Sequence, residues 1–110
     1  MEIRRGQILI VAAPGDFGKP RPAVVVQSDM LNPDHDTVSV CLLTSDVRGE
    51  RTFRVDLEPT DENGLKVISQ VMTDKILSLP RRRLGKIAGV VAADQMAAID
   101  LALRWTLGLT

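Results

Sequence analysis

Histidine and cysteine, which carry much of catalytic and metal chemistry, each occur once in this 110-residue chain, as His35 and Cys41, and tyrosine is absent. A lone cysteine excludes an intrachain disulfide and any multi-cysteine zinc site. Its setting, Val40-Cys41-Leu42-Leu43, suits a small buried hydrophobe. A lone histidine excludes acid–base catalysis by a histidine pair, and a Ser-His-Asp or Cys-His triad would have to use a residue in a polar loop. Asp34-His35-Asp36 sets three ligand types in succession, but successive side chains alternate in direction and rarely converge on one ion, so no metal and no cofactor is expected. Gly15 and Gly18 precede no helix, so they form no phosphate loop of the Walker or dinucleotide type. No stretch is long and apolar enough to span a bilayer, and Met1-Glu2-Ile3-Arg4-Arg5 lacks a signal peptide's apolar segment. A cytoplasmic protein with no membrane partner is therefore expected. An excess of charge is missing too: 14 Lys and Arg balance 14 Asp and Glu. Any polyanion site must arise from local clustering.

What the chain does have is the balance of a globular domain, 45% hydrophobic and 25% charged, and residues 1–110 are expected to form one domain. So short a chain buries a limited share of its surface, which favours self-association into a homodimer. The run from Gln7 to Ala12 predicts a first strand, and Pro14-Gly15-Asp16-Phe17-Gly18 breaks it. Lys19-Pro20-Arg21-Pro22 leads into a second strand over Ala23 to Val26, with the flanking prolines holding Arg21 on extended backbone. Thr37 to Leu43 predicts a third strand that stops at Thr44-Ser45. From Thr52 to Glu58 the pattern alternates, with Phe53, Val55 and Leu57 on one face and Thr52, Arg54, Asp56 and Glu58 on the other. Asn63-Gly64 predicts a tight hairpin into a long strand from Leu65 to Leu79, ended by Pro80. Arg81 to Lys86 is expected to form one short helical turn, followed by a last strand over Ile87 to Ala92.

Only the C-terminus has helical periodicity. Asp94 suits the cap, Met96, Ile99, Leu103 and Leu107 fall on one stripe, and Gly108 suits the end. Ala98, Leu101, Ala102 and Trp105 widen the apolar surface, which predicts core or dimer packing. Six or so short strands and one terminal helix predict a mainly β fold, a small closed or nearly closed barrel.

Positive charge is tightest at Arg81, Arg82, Arg83 and Lys86, with looser groups at Arg4–Arg5, Lys19–Arg21 and Arg48–Arg51–Arg54. Arg5-Gly6-Gln7-Ile8, Lys19-Pro20-Arg21-Pro22-Ala23-Val24-Val25-Val26-Gln27-Ser28, Leu42-Leu43-Thr44-Ser45, Gly64-Leu65 with Ser69-Gln70 and Asp74, Arg83-Leu84-Gly85 and Leu107-Gly108-Leu109 follow one another along nearly the whole chain. In this order and spacing they resemble the successive motifs of the MazF/PemK family of type II toxin endoribonucleases.

The resemblance implies an SH3-like barrel of the CcdB/PemK/MazF type, a homodimer with single-stranded RNA along its interface, and inhibition by a cognate antitoxin. It implies catalytic roles for Arg21, Thr44 and Asp74. Lys19, Gln27, Ser45, Ser69 and Gln70 are expected to contact RNA, and Arg81, Arg82, Arg83 and Lys86 to track its phosphates or bind an acidic antitoxin tail. Two positions depart from the family pattern. Gln7 stands where an acidic residue is common, and Met72 replaces the arginine that PemK-like members carry two positions before the aspartate. Two other readings remain open at this point. One is a CcdB-like toxin that poisons gyrase through C-terminal residues including a tryptophan, here Trp105; the other is an inactive homologue that binds RNA or antitoxin.

Overall fold

A computed structural model describes residues 2–15 and 19–109. The elements run β1 (Gln7–Ala12), β2 (Pro20–Val25), β3 (Thr37–Thr44), β4 (Arg54–Leu57), β5 (Ser69–Pro80), a 3-10 turn (Arg81–Arg83), β6 (Leu84–Val90) and α1 (Ala93–Leu107). The strands form one antiparallel sheet in the order β4-β5-β3-β2-β1-β6. This is the mainly β architecture with a C-terminal helix that the pattern predicts. Asp16, Phe17 and Gly18, part of the expected first loop, lie outside the described residues.

Period-2 alternation gives the sheet two apolar faces. Leu9, Val11, Ala23, Val25, Val40 and Leu42 join one buried cluster. Ile8, Val24, Cys41 and Leu43, one residue out of phase, join the other beneath the helix with Ile99, Ala102 and Leu103. Each fully buried aliphatic contributes about 1.5–3 kcal/mol, so both faces stabilise the sheet substantially. Burial pushes the Cys41 thiol up to about 12, which removes it as a nucleophile near neutral pH. Arg5 fastens the helix to the sheet, donating from Nε to the Val26 carbonyl (2.8 Å) and from Nη2 to Asp100 (2.7 Å).

Several boundaries differ from expectation for identifiable reasons. β2 starts at Pro20, because both prolines lie where β2 pairs only with β1 and a missing N–H breaks no ladder to β3. The helix begins after Ala92 with no side-chain cap, and Asp94 sits in its first turn instead. Gly108 closes it in the left-handed conformation at φ 73°. Leu107 falls off the buried stripe and is 55% exposed, while Ala102 is buried in its place. The 3-10 turn covers only 81–83, and β6 starts three residues earlier than predicted, at Leu84.

Asn63-Gly64 does not make a tight hairpin. β4 and β5 do pair, but residues 58–68 form a broad loop whose centre packs on β6. Asn63 is buried; its Oδ1 accepts from the Thr60 and Leu65 amides at 3.0 Å, and its Nδ2 donates to the Glu58 carbonyl at 2.8 Å. The Val90 amide donates to the Glu62 carbonyl at 2.8 Å. A Cβ at Gly89 would overlap the backbone of Glu62 and Asn63, so glycine is what lets loop and strand touch. This contact draws the β4–β5 connection against the β6 edge and nearly closes the barrel. Gly89→Ala is therefore expected to cost about 2–3 kcal/mol by forcing that backbone apart. Urea unfolding checks it, and an unchanged midpoint would mean that the loop does not close on β6.

Candidate functional site

One end of the sheet gathers polar side chains on the face that carries Ala23, Leu42 and Met72, away from the helix. Ala23 pairs with Leu42 at the end of the β2–β3 ladder; Arg21 lies two residues before Ala23 and Thr44 two after Leu42, so alternation puts both on the same face at this end. Thr44 in turn pairs with Gln70, and Gln70 with Asp56. A row of Arg21, Thr44, Gln70 and Asp56 thus crosses β2, β3, β5 and β4, with Ala23, Leu42 and Met72 one step behind it. Arg54 pairs with Met72 and so shares the face.

Gln70 holds this end together. It is 1% exposed and uses its whole amide. Its Oε1 accepts from the Arg48 amide (3.1 Å) and Arg54 Nη1 (3.0 Å), and its Nε2 donates to the Arg48 carbonyl (2.9 Å) and Asp56 Oδ1 (2.7 Å). The segment after β3 is pinned between them, and Arg48 also reaches Asp46 Oδ2 at 2.9 Å. Within it the Asp46 amide donates to Thr44 Oγ1 at 3.1 Å. That bond occupies a lone pair of the hydroxyl and leaves its proton to donate elsewhere. A buried amide with both ends satisfied is a rigid support.

The other expected site residues divide by position. Lys19 is exposed just ahead of Arg21, and Ser45 is exposed just beyond Thr44. Arg83 donates from Nη1 to the Ala12 carbonyl at 3.1 Å, beside the start of β2, since Ala12 pairs with Pro20. Arg82 and Lys86 are exposed. Arg81 serves a different loop: it donates to the carbonyls of Asn32 and His35 between β2 and β3.

Three residues expected to contact RNA are buried and hydrogen-bonded within the chain. Gln70 has no donor or acceptor left for RNA. Ser69 is 3% exposed and donates to the Val67 carbonyl at 3.1 Å. Gln27 lies beyond the opposite end of β2 from Arg21 and is 7% exposed; it donates to Asn32 Oδ1 and the Thr37 carbonyl, both at 3.0 Å. These are internal fasteners of two loops.

Asp74 stands apart from the row. Leu43 pairs with Val71 but Cys41 with Ile76, so two steps along β3 match five along β5, and the surplus bulges. Within the bulge Thr73 is buried, donating to the Phe53 carbonyl at 2.7 Å and meeting the Thr106 hydroxyl at 2.8 Å, while Asp74 and Lys75 are exposed. Sequence reasoning missed Arg54 and Asp56 as parts of this end. Their alternation put them on a common wet face, but only the β4–β5 register sets that face beside Thr44.

A curled six-stranded sheet with one terminal helix and an arginine–threonine row at one end has the architecture of small bacterial toxin barrels. A Mycobacterium tuberculosis toxin, MazF-mt6, superposes with a TM-score of 0.83 at 26% identity, covering 94% of this chain and 98% of that one. An endoribonuclease from a mycobacterial species, solved in complex with its cognate antitoxin, gives a TM-score of 0.83 at 28% identity over 98% of this chain and 97% of that one. In sequence, the "Probable endoribonuclease MazF" of Mycolicibacterium smegmatis is 36% identical, covering 97% of this chain and 98% of the relative. The sequence model of the PemK-like, MazF-like toxins of type II toxin-antitoxin systems matches residues 4–107. The chain belongs to that family.

Gln70→Ala would orphan the polar groups that now meet its amide. Its expected cost is about 2–3 kcal/mol, with faster amide exchange at Arg48. Wild-type stability and protection in that variant would show that the segment holds itself without Gln70.

Proposed function

We propose that this protein is the toxin of a toxin–antitoxin pair, an endoribonuclease that cuts single-stranded RNA without a metal ion. The observation that carries the reading is the alignment of Arg21 and Thr44 on one face at one end of the sheet, with the threonine hydroxyl oriented by the Asp46 amide. RNA brings its own nucleophile. The 2′-oxygen bonds to phosphorus, the bond from phosphorus to the 5′-oxygen breaks, and the products are a 2′,3′-cyclic phosphate and a 5′-hydroxyl. The protein has to fix in-line geometry and stabilise the charge that gathers on the phosphorane.

Arg21 offers a planar guanidinium fork to the phosphate oxygens, with its backbone held extended by Pro20 and Pro22. Thr44 donates its outward proton to another of them. Asp74 is exposed within the bulge and is not part of the paired row. Water takes the 2′-proton and returns one to the 5′-oxygen in this reading, and Asp74 contributes less than Thr44. Lys19, Ser45 and Arg83 flank the row and line the path of the strand, while Arg82 and Lys86 extend the positive surface.

The 110 residues act as one toxin domain on messenger RNA in the cytoplasm. The outer face of α1, with Leu101 68% and Trp105 61% exposed, borders a cavity of about 1020 Å³ against β4. Exposed apolar side chains of this size support burial against protein, a second copy in a homodimer and the antitoxin. Family membership favours the nuclease over a gyrase poison, and Trp105, stacked on Phe53 at 6.3 Å, serves the helix packing.

Cleavage is expected to survive excess chelator, checked by gel assay and end mapping. Its loss, with recovery on adding a divalent ion, would reject the metal-free mechanism. Thr44→Val should slow single-turnover cleavage at saturating RNA by about 10²–10³-fold with little change in binding, as for removal of one donor to a developing oxyanion. Asp74→Asn should lose less. A larger loss in the aspartate variant would return the general-base role to Asp74.

A further inference from the structure

Arg54 is a cation at this end to which the mechanism gives no role. It lies on the edge strand β4 and shares a face with the Thr44 row through its pairing with Met72. Nη1 is held at two points, by Gln70 Oε1 at 3.0 Å and the Asp46 carbonyl at 3.3 Å. Nε is buried and meets no acceptor. Nη2 takes no part in either of these bonds, and the side chain as a whole is half-buried. Among the described residues no carboxylate lies within ion-pair distance of the guanidinium. The acid next along its face, Asp56, spends an oxygen on Gln70 Nε2 at 2.7 Å.

A half-buried cation with no counter-charge is costly unless an anion completes it. Gln70 and the Asp46 carbonyl are neutral acceptors, so they orient the guanidinium without neutralising it. They also keep it from swinging away, which reduces the entropy lost when a ligand binds. The Asp46 tether is two residues beyond Thr44, and its amide also donates to Thr44 Oγ1 at 3.1 Å. Arg21, across the β2–β3 register, flanks Thr44 from the other side.

We propose that Arg54 is an RNA-binding residue that grips a backbone phosphate adjacent to the one held by Arg21 and Thr44. This rests on the reading of the protein as an RNA-cutting toxin. Arg54 supplies a guanidinium from β4 on the face where β5 carries the uncharged Met72. Its contact is with the phosphodiester chain, so it adds affinity without base preference. It also fixes the direction in which the strand leaves Thr44, across β5 and toward the sheet edge.

The test is the salt dependence of binding. Affinity for a 2′-O-methyl RNA oligomer, which cannot be cut, is measured by fluorescence anisotropy at several salt concentrations, alongside cleavage of the unmodified RNA by the same preparations. Arg54→Met and Arg54→Gln should each bind about tenfold more weakly at low salt. Their slope of log affinity against log salt should be shallower by about 0.7, the value for one phosphate contact on a single strand. Arg54→Lys should restore the slope, which a purely structural role would not do. On the unaltered protein, RNA should shield Arg54 from phenylglyoxal while leaving the exposed Arg104 reactive. An unchanged slope in a folded neutral variant, or equal modification of Arg54 with and without RNA, overturns the proposal. Failure of the wild type to bind or cut RNA would instead reject the function on which it rests.

Discussion

The bend of β5 is the constraint on which the rest of the molecule depends. Its first residues pair with β4 and the end of β3, and its last pair with the start of β3. No straight strand serves both, because the sheet must curl to bury two apolar faces. The register change between Cys41 and Leu43 provides the curl by letting β5 run longer than its partner. It turns Thr73 inward to the Phe53 carbonyl and the Thr106 hydroxyl, which anchors the far end of the helix. It also separates Gln70, beneath Thr44, from Asp74, which projects into water. The division between a preorganised row and an outlying carboxylate follows from that one irregularity.

The polar end is built by neutral groups around charges. Gln70 gives two donors and two acceptors to backbone and side chains from both flanking strands, so the segment after Thr44 is held without an ion pair at its centre. The one ion pair within it, Arg48 with Asp46, is exposed and contributes little. This arrangement suits phosphate binding. A chain with no net charge draws RNA only through local cations, and Arg54 is held by two neutral acceptors, Gln70 Oε1 and the Asp46 carbonyl. Arg81 shows the contrast: backbone carbonyls of the β2–β3 loop occupy it, and its charge serves loop closure.

Most of the fold was legible in the sequence, because alternation depends only on which face is wet. Thr52 to Glu58 showed Val55 and Leu57 as buried partners, and the strand from Gln7 to Ala12 came out with its observed ends. The Asn63-Gly64 signal was sound as local chemistry, since Gly64 has φ 68°, but the partner that shapes the loop is β6, more than twenty residues away. Gln27, Ser69 and Gln70 read as surface polar residues because a fully satisfied buried amide or hydroxyl leaves no mark in a sequence. Arg21 and Thr44 were singled out through motif resemblance, and Arg54 entered only as part of a loose basic group, because its neighbours are set by a register that only the folded sheet defines.

Where RNA lies on this surface is the central question, and amide chemical shifts answer it most directly. Titration with an uncleavable 2′-O-methyl RNA should move the resonances of residues 19–23, 44–48 and 54–56 and those around Arg83. Loss of those shifts in Arg21→Ala would confirm the anchor. Shifts confined to the loop around Asn32 and His35 with Arg81, or to the helix, would contradict the account and move the site away from Thr44.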